Sequence, residues 1–240
     1  MVADHKLKAA EPLLERIASR YPHLPLAHSL LGEIYLEQNR TNEFLAWYQS
    51  LSDEVMSAPE IWYVCSLWAR ETGQTKAAVR CLLETLKSYP SHVRANYQLS
   101  QLFQQLGEHD RARFFSERSR HLSTLDYVIN DLRGNPDERL MRQAVNALEL
   151  LGRGWEAIAW CYMAKDWGGE DWAPHEFSRL RHMVAREKNA VVSEFDPLNG
   201  IHHEKYPLPK WSRNDESVSA TSERSLGDTV QFEDAAAVSG

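Results

Sequence analysis

Histidine and cysteine are the side chains of this sequence best suited to chemistry, so their types and spacing come first. His202-His203-x-Lys205 and His175-Glu176 could each begin a metal site. Zinc, however, requires three or four ligands at defined spacing, steadied by a second layer of hydrogen bonds. Neither pair is accompanied by a Cys-x-x-Cys or a His-Glu-x-x-His, so no metal and no cofactor is expected. The three cysteines, Cys65, Cys81 and Cys161, are too few and too scattered for a disulfide framework. A nucleophilic cysteine needs a neighbouring base and a lowered pKa; Cys65 and Cys81 instead fall where a helix should be buried. No Gly-rich phosphate loop or Gly-x-Ser-x-Gly is present. The expectation is a protein that is not an enzyme.

Binding then becomes the question, and charge narrows it. Of the 240 residues, 27 are Lys or Arg and 34 are Asp or Glu, a formal net charge of −7. Nucleic-acid binders normally carry a basic face that releases counterions from phosphates, so no nucleic-acid partner is expected. The basic cluster Arg111, Arg113, Arg118 and Arg120 is interleaved with Asp110 and Glu117 and reads as a solvated face. Trp155, Trp160, Trp167 and Trp172 could form an aromatic platform, but aromatics at helical spacing are usually core. Trp155, at a helix start, is the member expected to be exposed. No apolar run approaches the roughly 20 residues that span a bilayer, so no membrane span is expected. Met1-Val2-Ala3-Asp4-His5-Lys6 lacks the apolar heart of a signal peptide. If Met1 is the true start the compartment is cytoplasmic; otherwise localisation is unknown.

The elements that must position such a binding surface repeat. Asn39, Gly73 and Gly107 lie 34 residues apart, and Pro22 and Pro90 are two such steps apart. Leu31, Cys65 and Leu99 keep the same step, as do Tyr35, Ala69 and Phe103, and Phe44, Ala78 and Ala112. A fixed period of this length marks a repeat architecture. Each period predicts two helices. Pro59 opens one carrying Trp62, Cys65 and Ala69 on a single stripe, and Gly73 closes it as a residue that tolerates a left-handed conformation. Thr75 can cap the next, whose buried stripe is Ala78, Leu82 and Leu86, and Pro90 ends it. Leu99, Leu102, Phe103, Gly107, Ala112 and Phe115 repeat the pattern.

These residues resemble the tetratricopeptide repeat (TPR). Leu31-Gly32, Tyr35 and Tyr48 match its pattern in the first full repeat. Trp62, Ala78 and Pro90 match in the second, and Leu99, Phe103 and Ala112 in the third. Phe44 departs from it by replacing a small residue, and His28 and Asn96 by replacing the first aromatic. The resemblance implies an all-α fold, an α-solenoid of helical hairpins. Such arrays display first-helix side chains in a concave groove, here Ser29, Glu33 and Glu37, then Tyr63, Leu67 and Arg70, then Arg94, Tyr97, Gln101 and Gln104. Aromatics flanked by charges of both signs suit a peptide segment or partner helix, so a non-catalytic protein–protein interaction scaffold is expected. The Lys/Asn clamp with which some members grip a C-terminal carboxylate is absent at the matching positions.

Four regions follow. Residues 1–24 read as a partial repeat, its second helix at 6–22, and residues 25–124 as three TPR repeats. Residues 125–192 hold an insert, a fourth hairpin (Ala144, Leu148, Leu151-Gly152, Ala157, Ala164) and a capping helix with Phe177, Leu180 and Val184. Gly152 lies 45 residues past Gly107, and the surplus is expected in Leu122–Pro136, as a short helix ending at Gly134-Asn135-Pro136. Residues 193–240 contain extended segments, including Tyr206-Pro207-Leu208-Pro209-Lys210-Trp211, expected to dock onto the last helices. Ser212–Gly240 holds six acids and two bases and reads as a flexible acidic linker. Val230–Gly240 resembles the opening strand of an FG-GAP/ASPIC-type propeller, and Gly152–Trp160 and Tyr206-Pro207-Leu208-Pro209-x-Trp211 resemble the region preceding such propellers in bacterial proteins. That implies an alternative role as the N-terminal docking arm of a longer protein, its partner an intramolecular C-terminal domain beyond Gly240.

Overall fold

The computed structural model describes residues 2–132, 137–165, 168–187 and 197–211. It is all-α, with no strand among the described residues. The described residues fall into two compact units, one from those within 1–89 and 202–211, the other from those within 90–201.

The first unit contains α1 (Val2–Arg20), α2 (Pro25–Glu37), α3 (Thr41–Gln49), a single turn α4 (Asp53–Met56), α5 (Pro59–Glu71) and α6 (Thr75–Ser88). Helix α2 packs on α1, α3 and α5, and α5 packs on α6. The second unit contains α7 (Val93–Gln105), α8 (His109–Leu132), α9 (Glu138–Leu150), α10 (Gly154–Ala164) and α11 (Ala173–Glu187); α8 packs on α7, α9 on α8, α10 on α9 and α11 on α10.

One turn geometry closes four hairpins, α2–α3, α5–α6, α7–α8 and α9–α10. Asn39, Gly73, Gly107 and Gly152 have φ of 55°, 74°, 76° and 74°, the left-handed region in which a side chain is strained and glycine is not. The next N–H reaches back five residues, Arg40 to the Tyr35 carbonyl at 2.8 Å and Gln74 to Ala69 at 2.7 Å. Glu108 to Phe103 at 2.9 Å and Arg153 to Leu148 at 2.8 Å repeat it. This Schellman closure satisfies carbonyls the helix end would leave bare. It also moves the start of α6: Gln74, not Thr75, is its N-cap, and the Gln74 side chain makes no capping bond.

The stripes predicted from the period are buried. Ala78, Leu82, Leu86, Leu99 and Phe103 are fully enclosed, and Trp62 is 5% exposed. Departures from the repeat pattern find their own solutions. His28 Nε2 lies 3.1 Å from the Pro22 carbonyl, and Asn96 Nδ2 donates to the Pro90 carbonyl at 3.1 Å. Where an aromatic is missing, a polar side chain thus binds the proline carbonyl six residues back. Phe44, in place of a small residue, is fully buried and stacks on Trp68 with centroids 5.1 Å apart. Gly32 is needed for close approach, because a β-carbon there would lie 2.5 Å from the Trp47 ring.

The surplus before the fourth hairpin forms no separate helix up to Leu132. It lengthens α8 to 24 residues, since Ala112, Phe115, Ser119, Leu122, Leu125, Val128 and Leu132 continue one buried stripe with no Gly or Pro to break it. Gly134-Asn135-Pro136 lies outside the described residues, as do Trp167, 188–196 and 212–240, and with them the acidic linker and the propeller-like phrase of Val230–Gly240.

Candidate interaction surfaces

Two surfaces emerge, one in each unit. On α7, Arg94, Tyr97, Gln101 and Gln104 recur at three- and four-residue steps and so share one face. All four are exposed, Tyr97 by 56%. The opposite face, with Ala95, Leu99, Leu102 and Phe103, is buried. An aromatic held out between a cation and two amides can contribute apolar area while its neighbours set register.

Helix α5 differs. Its nine residues Ile61–Ala69 are all buried, so Tyr63, expected on display, is only 2% exposed and Leu67 is enclosed as well. The signal was present: Ile-Trp-Tyr-Val-Cys-Ser-Leu-Trp-Ala is apolar on every side, the mark of a fully surrounded helix. Arg70 and Glu71, at its end, are exposed. On α2, Glu37 is exposed and Glu33 half-buried, while Ser29 is buried and donates to the Leu26 carbonyl at 3.0 Å.

The C-terminal segment creates the second surface. Tyr206–Trp211 was expected on the last helices; it docks instead within the first unit, against α3, α5 and the start of α6. Trp211 is 2% exposed and stacks on Tyr48, centroids 3.8 Å apart and planes 16° from parallel. Lys210 is read by its backbone: its N–H donates to Gln74 Oε1 at 2.6 Å, and its carbonyl accepts from Gln74 Nε2 at 2.9 Å and Trp68 Nε1 at 3.5 Å. Tyr206 and Pro209 are also buried. The physical reason is the aromatic surplus of α3 and α5, whose flat faces accept a proline-rich extended chain.

Upstream, His203 brings Nδ1 to 3.4 Å from Glu84 Oε1, and Arg80 donates to the His203 carbonyl at 3.3 Å. Glu84 is 6% exposed and pairs with Arg80 at 2.8 Å and Lys87 at 3.0 Å. Burial pushes its carboxyl up, but hydrogen bonding from His203 and Lys87 and the charges of Lys87 and Arg80 prevail and hold it at about 2.

The remaining candidates resolve into structure. No group of three His, Cys, Asp or Glu that could hold a metal occurs among the described residues. The three cysteines are buried free thiols; burial pushes Cys65 and Cys81 well up, and Cys161 to about 11, the reverse of an activated nucleophile. Trp172 joins the core of the second unit, Trp160 packs against it, and Trp155 is 59% exposed. Arg113 pairs with Asp110 at 2.8 Å and Arg111 with Glu108. Arg118 reaches the Leu151 and Pro90 carbonyls at 3.5 and 3.4 Å.

Hairpins of paired helices closed by one recurring left-handed turn define an α-helical repeat protein. Two tetratricopeptide-repeat family models match the chain, one over residues 1–67 and the other over 69–117. Residues 1–67 and 69–117 are thus tetratricopeptide-repeat sequence. Among solved structures it is similar to one described as the crystal structure of MamA, at 16% identity and a TM-score of 0.36, covering 78% of this chain and 93% of that one. No curated protein matches. No described helix is long and apolar enough to cross a membrane.

Proposed function

We propose that this protein is a non-catalytic interaction scaffold whose α7 face, Arg94, Tyr97, Gln101 and Gln104, holds a peptide segment or helix of a protein partner. One observation carries the reading: Tyr97 stands 56% exposed among the exposed polar side chains of Arg94, Gln101 and Gln104, opposite the packed face of α7. Repeat arrays exist to present surfaces of this kind, and an exposed tyrosine gives large contact area at small conformational cost. On the first unit, taken by itself, Glu33, Glu37 and Arg70 remain candidate contacts that carry charges of both signs. Tyr63 is removed from the contact set by its burial.

The test is recovery of partners from the source cell on immobilised protein, followed by the Tyr97→Ala/Gln101→Ala variant. The variant should keep its melting temperature and lose the recovered proteins. Retention of the same set at the same yield would exclude this face.

A further inference from the structure

The Tyr206–Trp211 segment is held in the way one chain reads another. We propose that it is a resident ligand: the slot built by Tyr48, Trp68 and Gln74 accepts, in trans, an extended Pro-x-Trp peptide that displaces the protein's own. Three features converge on this. Gln74 takes both backbone groups of Lys210 at 2.6 and 2.9 Å, so its amide does the work of a neighbouring strand and ignores which side chain stands there. Specificity falls to the flanking positions, Pro209 buried and Trp211 stacked flat on Tyr48. A proline before the amide-read residue favours the extended form the slot needs.

The resident fit is also incomplete. Trp211 Nε1 and the Tyr48 hydroxyl are buried with no hydrogen-bond partner, a penalty that any ligand supplying acceptors would relieve. A cavity of about 640 Å³ opens beside Trp211, lined by Asn39, Thr41, Leu45, Trp68, Glu71 and Thr72. A peptide continuing past its tryptophan would find polar partners there.

The experiment uses the full chain. A fluorescein-labelled peptide of sequence His-His-Glu-Lys-Tyr-Pro-Leu-Pro-Lys-Trp is titrated by fluorescence polarisation against the unmodified chain and the Trp211→Ala variant. The tethered segment competes at high effective concentration, so the variant should bind at least about tenfold more tightly. Adding Gln74→Ala, or replacing the peptide's tryptophan by alanine, should cost at least about tenfold, the loss of one well-placed anchor. Tyr97→Ala should change nothing, which separates this slot from the α7 face. Lys210→Pro, which removes the donated N–H but keeps the stacking ring, serves as the second loosened variant. A folded loosened variant that binds no peptide, or binds it regardless of Gln74, overturns the proposal. So does failure of both variants to fold, which would make the segment a part of the core.

Discussion

Tyr63 and Tyr97 stand one 34-residue period apart, at the same place in successive repeats, yet one is 2% and the other 56% exposed. Their alanine variants should therefore behave very differently. A buried aromatic removes about 150–250 Å² from water, which at about 25 cal/mol/Å² corresponds to roughly 4–6 kcal/mol as an upper bound. Measured aromatic-to-alanine truncations in cores cost about 3–5 kcal/mol, cavity included. Tyr63→Ala should fall in that range, a large share of the roughly 5–15 kcal/mol that holds a domain folded. Tyr97→Ala loses little burial and should stay within about 0.5 kcal/mol of the parent. Urea unfolding followed by far-UV circular dichroism measures both, the midpoint moving at an unchanged slope. The reasoning fails if the two variants cost the same, or if Tyr97→Ala is the more damaging, because burial rather than register would then have been misassigned.

Other outcomes follow from the same packing. Ala78 is fully enclosed on α6, so Ala78→Leu should destabilise by about 1–3 kcal/mol through overpacking; an unchanged melting temperature would contradict that helix face. Glu84 titrates in the folded chain at about 2 rather than its ordinary 4.5. A carboxyl held down contributes stability that is present above the unfolded value and lost as pH falls toward 2. Stability should therefore drop by about 3 kcal/mol between pH 5 and pH 2 from this group. Glu84→Gln should flatten that part of the urea-midpoint profile, and an unaltered profile would refute the pairing. The three thiols, enclosed and pushed up, should resist a disulfide reagent in buffer and react together in urea; rapid labelling of any one in buffer would contradict its burial.

The parts of the fold legible in advance were those that depend on near neighbours in the chain. Asn39, Gly73, Gly107 and Gly152 each close a hairpin by a bond reaching five residues back, and a helix stripe is a matter of three- and four-residue steps. Periodicity therefore exposed both, along with the burial of Cys65, Cys81 and Trp62. Half of the candidate surface was equally local: Arg94, Tyr97, Gln101 and Gln104 face outward because their opposite stripe is apolar.

What escaped was set by distant partners. Tyr63 shares its register with Tyr97, but the helix around it is apolar on all sides and closed over. Register states which way a side chain points, not what comes to meet it. The docking of Lys210 on Gln74 joins residues 136 apart, and the Tyr48–Trp211 stack spans the helices between them. Nothing in the local pattern distinguishes Gln74 from any other turn glutamine, because its role depends on a segment that arrives only when the chain has folded back. Short-range hydrogen bonding and helical spacing are written residue by residue; the meeting of remote aromatic faces depends on the three-dimensional path that brings them together.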